Sequence, residues 1–281
     1  MNSFEDPRRV LARHGLRPKK AFSQNFLISP RAIEAIVRAC GLAPGQRVLE
    51  LGPGCGTLTF ALAETGAEVH ALERDPEMLR VLEAERSGRN VTIVPGDAKE
   101  VSLADFVVPG ERIVVAGNLP YAITGAIFRR LCEQHELVSR AVLMVQREVR
   151  DRLVAQPSTG EYGALTVFVS QLFAVETVLH IPRTAFHPPP KVTSSVVRLL
   201  PLAQPRARPS AMFDRVVHAA FQARRKTLRN ALAQAVGVAN AEAALAACGI
   251  DGMRRGETLS VEELGQVAVA LATSGNAESS Q

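Results

Sequence analysis

The stretch Val48–Thr59, VLELGPGCGTLT, limits most sharply what this chain can become. An apolar run (Val48, Leu49, Leu51) breaks at Gly52, Gly54 and Gly56, then gives way to the helical spacing of Leu58, Leu62 and Ala63. That order reads as strand, tight turn, helix. Glycines at alternate positions permit positive φ and let a ligand approach the main chain, and the first turn of the new helix carries N–H groups without intrahelical partners. Taken alone, the triplet equally suits any tight strand-to-helix turn. Its spacing is G-x-G-x-G, not the G-x-G-x-x-G of nicotinamide and flavin sites, and no phosphate-loop lysine follows.

The strands that follow add chemistry. Glu68–Leu72 ends in Glu73, where an α/β nucleotide site sets a carboxylate against ribose hydroxyls. The run VTIVPGDA puts Asp97 at a strand end, and RIVVAGNLPY does the same for Asn118. Singly, each is as well explained by a solvated turn or a helix cap. Together with the glycine turn they predict one crevice along the carboxyl edge of an open, mostly parallel sheet.

Further strands are predicted at Ala141–Gln146, Ala174–Ile181 and Val192–Leu200. A loop holding Pro188, Pro189 and Pro190 joins the last two and is too short for a crossover helix, so that pair should be antiparallel. Ser29 and Pro30 open a helix that Gly41 ends. Pro201–Pro209 reads as a linker, dividing a catalytic domain with its N-terminal arm (1–204) from a helical domain (205–281). In the second domain Phe213, Val216, Val217, Ala220 and Phe221 share a helix face that Arg224, Arg225 and Lys226 continue. Ser260 and Glu263 cap a last helix reaching about Leu271, and Gly275–Gln281 reads as a frayed tail.

Charge is unevenly placed. Residues 1–31 hold seven bases against two acids, a surplus equal to the whole net charge of +5, so the other residues sum to zero. Basic clusters still occur at Arg147, Arg150 and Arg152 and at Arg224, Arg225, Lys226 and Arg229, the footprint of a protein that tracks phosphates or, for any one cluster, a solvated face. No apolar run approaches the length of a membrane span, and the N-terminus lacks the apolar core of an export signal, which predicts a cytoplasmic protein. Cys40, Cys55, Cys132 and Cys248 show no C-x-x-C spacing and read as small buried residues in a reducing compartment, with no metal site expected.

With Glu50 before it, the glycine turn resembles that of class I S-adenosylmethionine-dependent methyltransferases. Asn118-Leu119-Pro120-Tyr121 resembles the N-L-P-Y motif of enzymes that methylate the exocyclic amine of adenine. With FSQNFL (Phe22–Leu27), MVQREVRDRL (Met144–Leu153), FHPPPKVTSSVVRL (Phe186–Leu199) and FQARRKTLRNAL (Phe221–Leu232), the chain resembles the ribosomal RNA adenine dimethyltransferase family, KsgA type, from about residue 17 to about residue 271.

The resemblance implies an α/β fold with a Rossmann-like seven-stranded sheet and a small C-terminal α-helical domain. It implies an enzyme that uses S-adenosyl-L-methionine to dimethylate two adjacent adenosines near the 3′ end of 16S rRNA, in the small subunit or its precursor, with no metal and a monomer as the default. The matching positions make Asn118, Leu119, Pro120 and Tyr121 catalytic, with Phe186 covering the target base. Cofactor contacts fall to Gln24, Asn25, Leu27, Gly52, Gly54, Glu73 (ribose), Asp97 (adenine amine), Ala98 and Asn118. RNA contacts fall to Arg17, Lys19, Lys20, Arg147, Lys191, Arg224, Arg225, Lys226 and Arg229. Competing expectations are a large-subunit rRNA methyltransferase, a fold-retaining ribosome-assembly protein and a DNA adenine methyltransferase.

Overall fold

The computed structural model describes residues 4–19, 24–120, 123–223 and 225–278, so Lys20, Tyr121 and Arg224 lie outside the described residues. Contacts group the chain into two compact units, one of residues 1–150 with 174–201 and one of 151–173 with 202–281. The expected boundary after residue 204 separates the same carboxyl-terminal helices, but it leaves 151–173 with the sheet, whereas their contacts lie with the helices.

In the first unit, helix α1 (Pro7–Arg13) and a short strand β1 (Phe26–Leu27) precede α2 (Pro30–Cys40). Ser29 caps α2 by accepting from the Ala32 N–H, and Gly41 ends it in the left-handed region, as the sequence predicts. Strands and helices then alternate as β2 (Arg47–Leu51), α3 (Thr57–Ala63), β3 (Glu68–Glu73), α4 (Pro76–Glu85), β4 (Val91–Pro95), β5 (Ile113–Asn118), α5 (Thr124–Glu133) and β6 (Val138–Gln146). After α6 (Arg147–Leu153) and α7 (Ala164–Leu172) come β7 (Phe173–Ile181), β8 (Phe186–His187) and β9 (Ser194–Pro201).

Among the described residues seven strands form one sheet in the order β4-β3-β2-β5-β6-β9-β7, and β1 pairs with β8 apart from it. The β2–β3, β3–β4, β2–β5 and β5–β6 pairs are parallel, and β6–β9 is antiparallel. β7 and β9 also run oppositely, since Glu176 meets Arg198 while His180 meets Ser195. Central strands are apolar almost throughout because helices cover both faces: Val48, Leu49, Val114, Val115, Val142 and Leu143 are fully buried. The order of winding reverses between β2 and β5, and the crevice of such a sheet opens at the carboxyl ends of those two strands. Gly52 follows β2 and Asn118 ends β5.

The second unit packs α8 (Ala211–Gln222), α9 (Leu228–Val236), α10 (Val238–Ala247) and α11 (Val261–Glu278) around Phe213, Val217, Leu232, Leu245 and Leu264, with Tyr162 and Val167 contributed from 151–173. Three expectations are corrected here. Helix α8 stops at Gln222 because the Thr227 hydroxyl caps a new helix, so Arg225 and Lys226 sit in a turn rather than on a continued helix. The proline-rich stretch is pinned, not loose: the Leu202 and Arg206 N–H groups donate to the carbonyls of Leu172 and Gln171, and the Gln171 amide donates to Ala207 O. The Ser260–Glu263 capping box forms, with Ser260 N–H on Glu263 and Glu263 N–H on Ser260, but α11 runs on to Glu278, no proline interrupting it. Among the described residues no helix is long and apolar enough to cross a membrane.

Candidate active site

The glycine turn makes room by its backbone conformation. Gly52, Gly54 and Gly56 have φ of 72°, 57° and 83°, a region that L side chains rarely adopt. A Cβ on Gly54 would also come within 2.9 Å of the Phe26 ring. The N–H groups of the three glycines are spent inside the protein. Gly52 donates to Leu72 O at 3.0 Å, Gly54 to Glu73 Oε2 at 3.0 Å and Gly56 to Pro53 O at 3.0 Å. These three glycines therefore contribute open space and main-chain oxygens, and any donors to a ligand are left to the first turn of α3.

A cleft of about 420 Å³ lies over this turn in the first unit. Gln24, Asn25, Leu27, Gly52, Gly54, Glu73, Asp97, Ala98, Asn118, Leu119 and Pro120 all line it, so the structure brings together these eleven positions named from sequence. Glu73 Oε1 accepts from the N–H groups of Arg74 and Asp75 and its Oε2 from Gly54, which fixes the carboxylate at the strand end. Burial still raises its pKa, against the pull of those donors. Asp97 is the reverse case: burial alone would raise it, but the Lys99 N–H and the charges of Lys99 and Arg74 outweigh burial and hold it below the usual carboxylate range.

Asn118 Nδ2 donates to Asn25 O at 3.0 Å. A carbonyl only accepts, so the amide nitrogen faces Asn25 and Oδ1 is left as an acceptor. The partner strand segment β1 is set by pairing with β8, Leu27 opposite Phe186. Phe186 itself is not brought to the cleft. It is 3% exposed and packs in the core with Leu27, because the outward position of that two-residue strand belongs to His187.

The arm before β1 is strapped down. Asp75, fully buried, accepts from Lys19 Nζ at 3.0 Å and Gln24 Nε2 at 2.8 Å while its Oδ1 caps α4 through the Glu77 N–H. Lys19, expected on RNA, spends its charge on Asp75 and Glu77. Arg229 likewise pairs with Glu242 at 2.7 Å. Arg17, Arg147, Lys191, Arg225 and Lys226 are exposed.

Sequence reasoning left three charged cleft residues without a role: Glu50, Arg74 and Lys99. Glu50 is 1% exposed, burial pushes its carboxyl up to about 8, and its Oε2 has no hydrogen-bond partner among the described residues. An acid inside an apolar strand run was the available signal. Cys40 and Cys55 are buried, with thiols pushed up by burial to about 12, whereas Cys132 and Cys248 are half-buried, short of the full burial expected. Among the described residues no cluster of histidine, cysteine and acidic side chains could hold a metal ion.

The chain is similar to known proteins over nearly its whole length. The chain is 46% identical over 273 residues to a ribosomal RNA small subunit methyltransferase A of Myxococcus xanthus, covering 95% of this chain and 96% of the relative. It is 41% identical over 269 residues to the protein of that name from Geobacter metallireducens, covering 93% and 98%. In structure it resembles a dimethyladenosine transferase from Plasmodium falciparum, with a TM-score of 0.75 at 24% identity over 89% of this chain and 98% of the other, a likeness of fold. It resembles the 23S rRNA methyltransferase ErmE with a TM-score of 0.66 at 29% identity, covering 88% and 100%. The description "Ribosomal RNA adenine dimethylase" matches residues 15–273, and the chain belongs to that family.

Proposed function

We propose that this chain transfers methyl groups from S-adenosylmethionine to the N6 amines of two adjacent adenosines in a loop near the 3′ end of 16S rRNA, giving N6,N6-dimethyladenosine during small-subunit maturation. The observation that carries this reading is the orientation of Asn118, whose Nδ2 is committed to Asn25 O in the cleft that also holds Glu73 and Asp97. The small-subunit substrate is supported by near-full-length relatives bearing that name.

The residues present suit the methyl donor. Glu73 offers its remaining lone pairs to ribose hydroxyls and Asp97 accepts the adenine amine. The unpartnered Glu50 Oε2 is an acceptor for an ammonium group. S-adenosylmethionine brings a methyl group already activated by its sulfonium, so the protein's task is positioning. The exocyclic amine of adenine is a weak nucleophile because its lone pair is delocalised into the ring. Asn118 Oδ1 and the Leu119 carbonyl, as acceptors outside the ring plane, favour a pyramidal nitrogen with its lone pair directed at the methyl group. Pro120 fixes the backbone there, and Tyr121 offers a face on which the extruded base stacks. The product ammonium is acidic enough to lose its proton to water, and no general base is required. The protein acts in the cytoplasm as a monomer without a metal.

The test is transfer of labelled methyl from S-adenosylmethionine to unmethylated small subunits, with large subunits and duplex DNA in parallel. Label confined to small subunits as dimethyladenosine is expected. Label on large subunits would move the chain to the activity named for ErmE, and label on duplex DNA would make it a DNA methyltransferase.

A further inference from the structure

The first unit holds a second hollow, of about 360 Å³, beside the N-terminal arm. One side of it is α1 with the turn that follows, through Leu11, Leu16 and Pro18, and the other is His187 on β8. Arg8 and Arg17 stand in its walls, and no acid is among the described residues that line it. Asp6 accepts from Nε and Nη2 of Arg8, which fixes that guanidinium with Nη1 on its other edge. Arg8 thus shares its charge with a carboxylate, and the exposed Arg17 is the larger source of positive potential.

Position gives the hollow its meaning. In the antiparallel β1–β8 pair Phe26 stands opposite His187, so the two side chains lie on one face of the ribbon, about 5 Å apart at Cα. Phe26 lines the cleft and packs with Leu11 and Leu16, which line the hollow. Cleft and hollow therefore share one wall. The substrate proposed above carries two adjacent adenosines. When one base is extruded into the cleft, its neighbour, one phosphodiester away, loses a stacking partner and needs a surface of its own. Leu11, Leu16 and Pro18 offer apolar contact, the His187 imidazole offers an aromatic face, and the guanidiniums suit a phosphate. Unpaired RNA is recognised on such surfaces. The volume falls in the range of small-ligand sites, roughly 300–1,000 Å³.

We propose that this hollow is a subsite for the nucleotide next to the adenosine being methylated, its base against His187 and the apolar side of the arm and its phosphate at Arg17 and Arg8. The proposal rests on the RNA reading of the neighbouring cleft. Initial rates of methyl transfer to unmethylated small subunits, resolved for each of the two adenosines, test it on wild type, Ala12→Trp, His187→Ala and His187→Phe. Ala12 lines the hollow from an exposed position of α1, so tryptophan there fills the space without disturbing a core. KM for the subunit should rise roughly tenfold in Ala12→Trp and in His187→Ala, the order of one lost base–aromatic stack, and His187→Phe should restore it. Melting temperature and S-adenosylhomocysteine affinity by calorimetry should stay as in wild type. Because the hollow lies to one side of the cleft, each adenosine places a different neighbour in it, and the two should be slowed unequally. A wild-type KM in Ala12→Trp, no recovery in His187→Phe, or equal slowing at both adenosines would overturn the subsite while leaving the methyltransferase reading intact. A wild type that methylates no subunit would overturn both.

Discussion

The Asn25 carbonyl decides which way the Asn118 amide faces, and the chemistry proposed for the cleft follows from that one bond. Asn118→Ala removes an acceptor needed only as the amine becomes pyramidal, so turnover should fall by about 10²-fold or more with S-adenosylhomocysteine affinity within about twofold. Single-turnover kinetics beside calorimetry checks this, and an unchanged rate removes Asn118 from the reaction. Glu50 gives a prediction in pH. Its folded value near 8 lies above its ordinary 4.5, so the folded state binds the extra proton, and stability falls as pH rises from about 4.5 to about 8. Glu50→Gln should flatten that slope, gaining up to roughly 4 kcal/mol on wild type between pH 5 and pH 8 in urea denaturation. Equal slopes would show that Glu50 does not carry the dependence. At this scale the sequence was legible where polar residues end apolar strands, as at Glu73, Asp97 and Asn118. It was not legible where partners decide. The N–H groups of Gly52, Gly54 and Gly56 are taken by Leu72, Glu73 and Pro53, and Phe186 is turned into the core by its pairing with Leu27.

Elements were readable where a cap or a glycine marks their ends, and less so where a neighbour sets them. Ser29 and Gly41 bound α2 as expected, but Thr227 restarts the chain as α9 and so ends the run of basic residues after α8. The N-terminal arm is held by contacts far apart in sequence: Arg13 and His14 meet Glu85 on α4, and Lys19 and Gln24 meet Asp75 at its start. Asp75 thus serves as helix cap and as anchor. Asp75→Ala should cost about 1 kcal/mol for the lost cap and more for the two donors left without their acceptor. It should also free the arm, so trypsin should cut after Lys19 several-fold faster than in wild type. Because Gln24 and Asn25 line the cleft, S-adenosylhomocysteine should bind more weakly as well. Unchanged cleavage would show that the docking of Val10 and Leu11 with Met78 and Val81 suffices to hold the arm.

At the scale of the whole molecule the sheet was announced by strands at crossover spacing, while the helical unit is discontinuous, with 151–173 and 202–281 sharing one core. Periodicity tells that a segment is helical and not which core it joins, so that grouping could not be read. Charge is the other property of the whole. Of the bases proposed to meet RNA, Arg17, Arg147 and Lys191 in the sheet unit and Arg225 and Lys226 in the helical one are exposed. Each phosphate neutralised releases counterions, and the logarithm of affinity for unmethylated small subunits should fall linearly with the logarithm of salt. Arg225→Glu with Lys226→Glu should weaken that binding and reduce the slope by about 1.5, two contacts' worth, with S-adenosylhomocysteine affinity unchanged. Lys19→Ala is the contrasting variant: its ammonium already serves Asp75 and Glu77, so the slope should stay as in wild type. Binding isotherms at four salt concentrations separate the cases. A double reversal with the wild-type slope would make the turn between α8 and α9 a plain solvated face and leave RNA contact to the sheet unit.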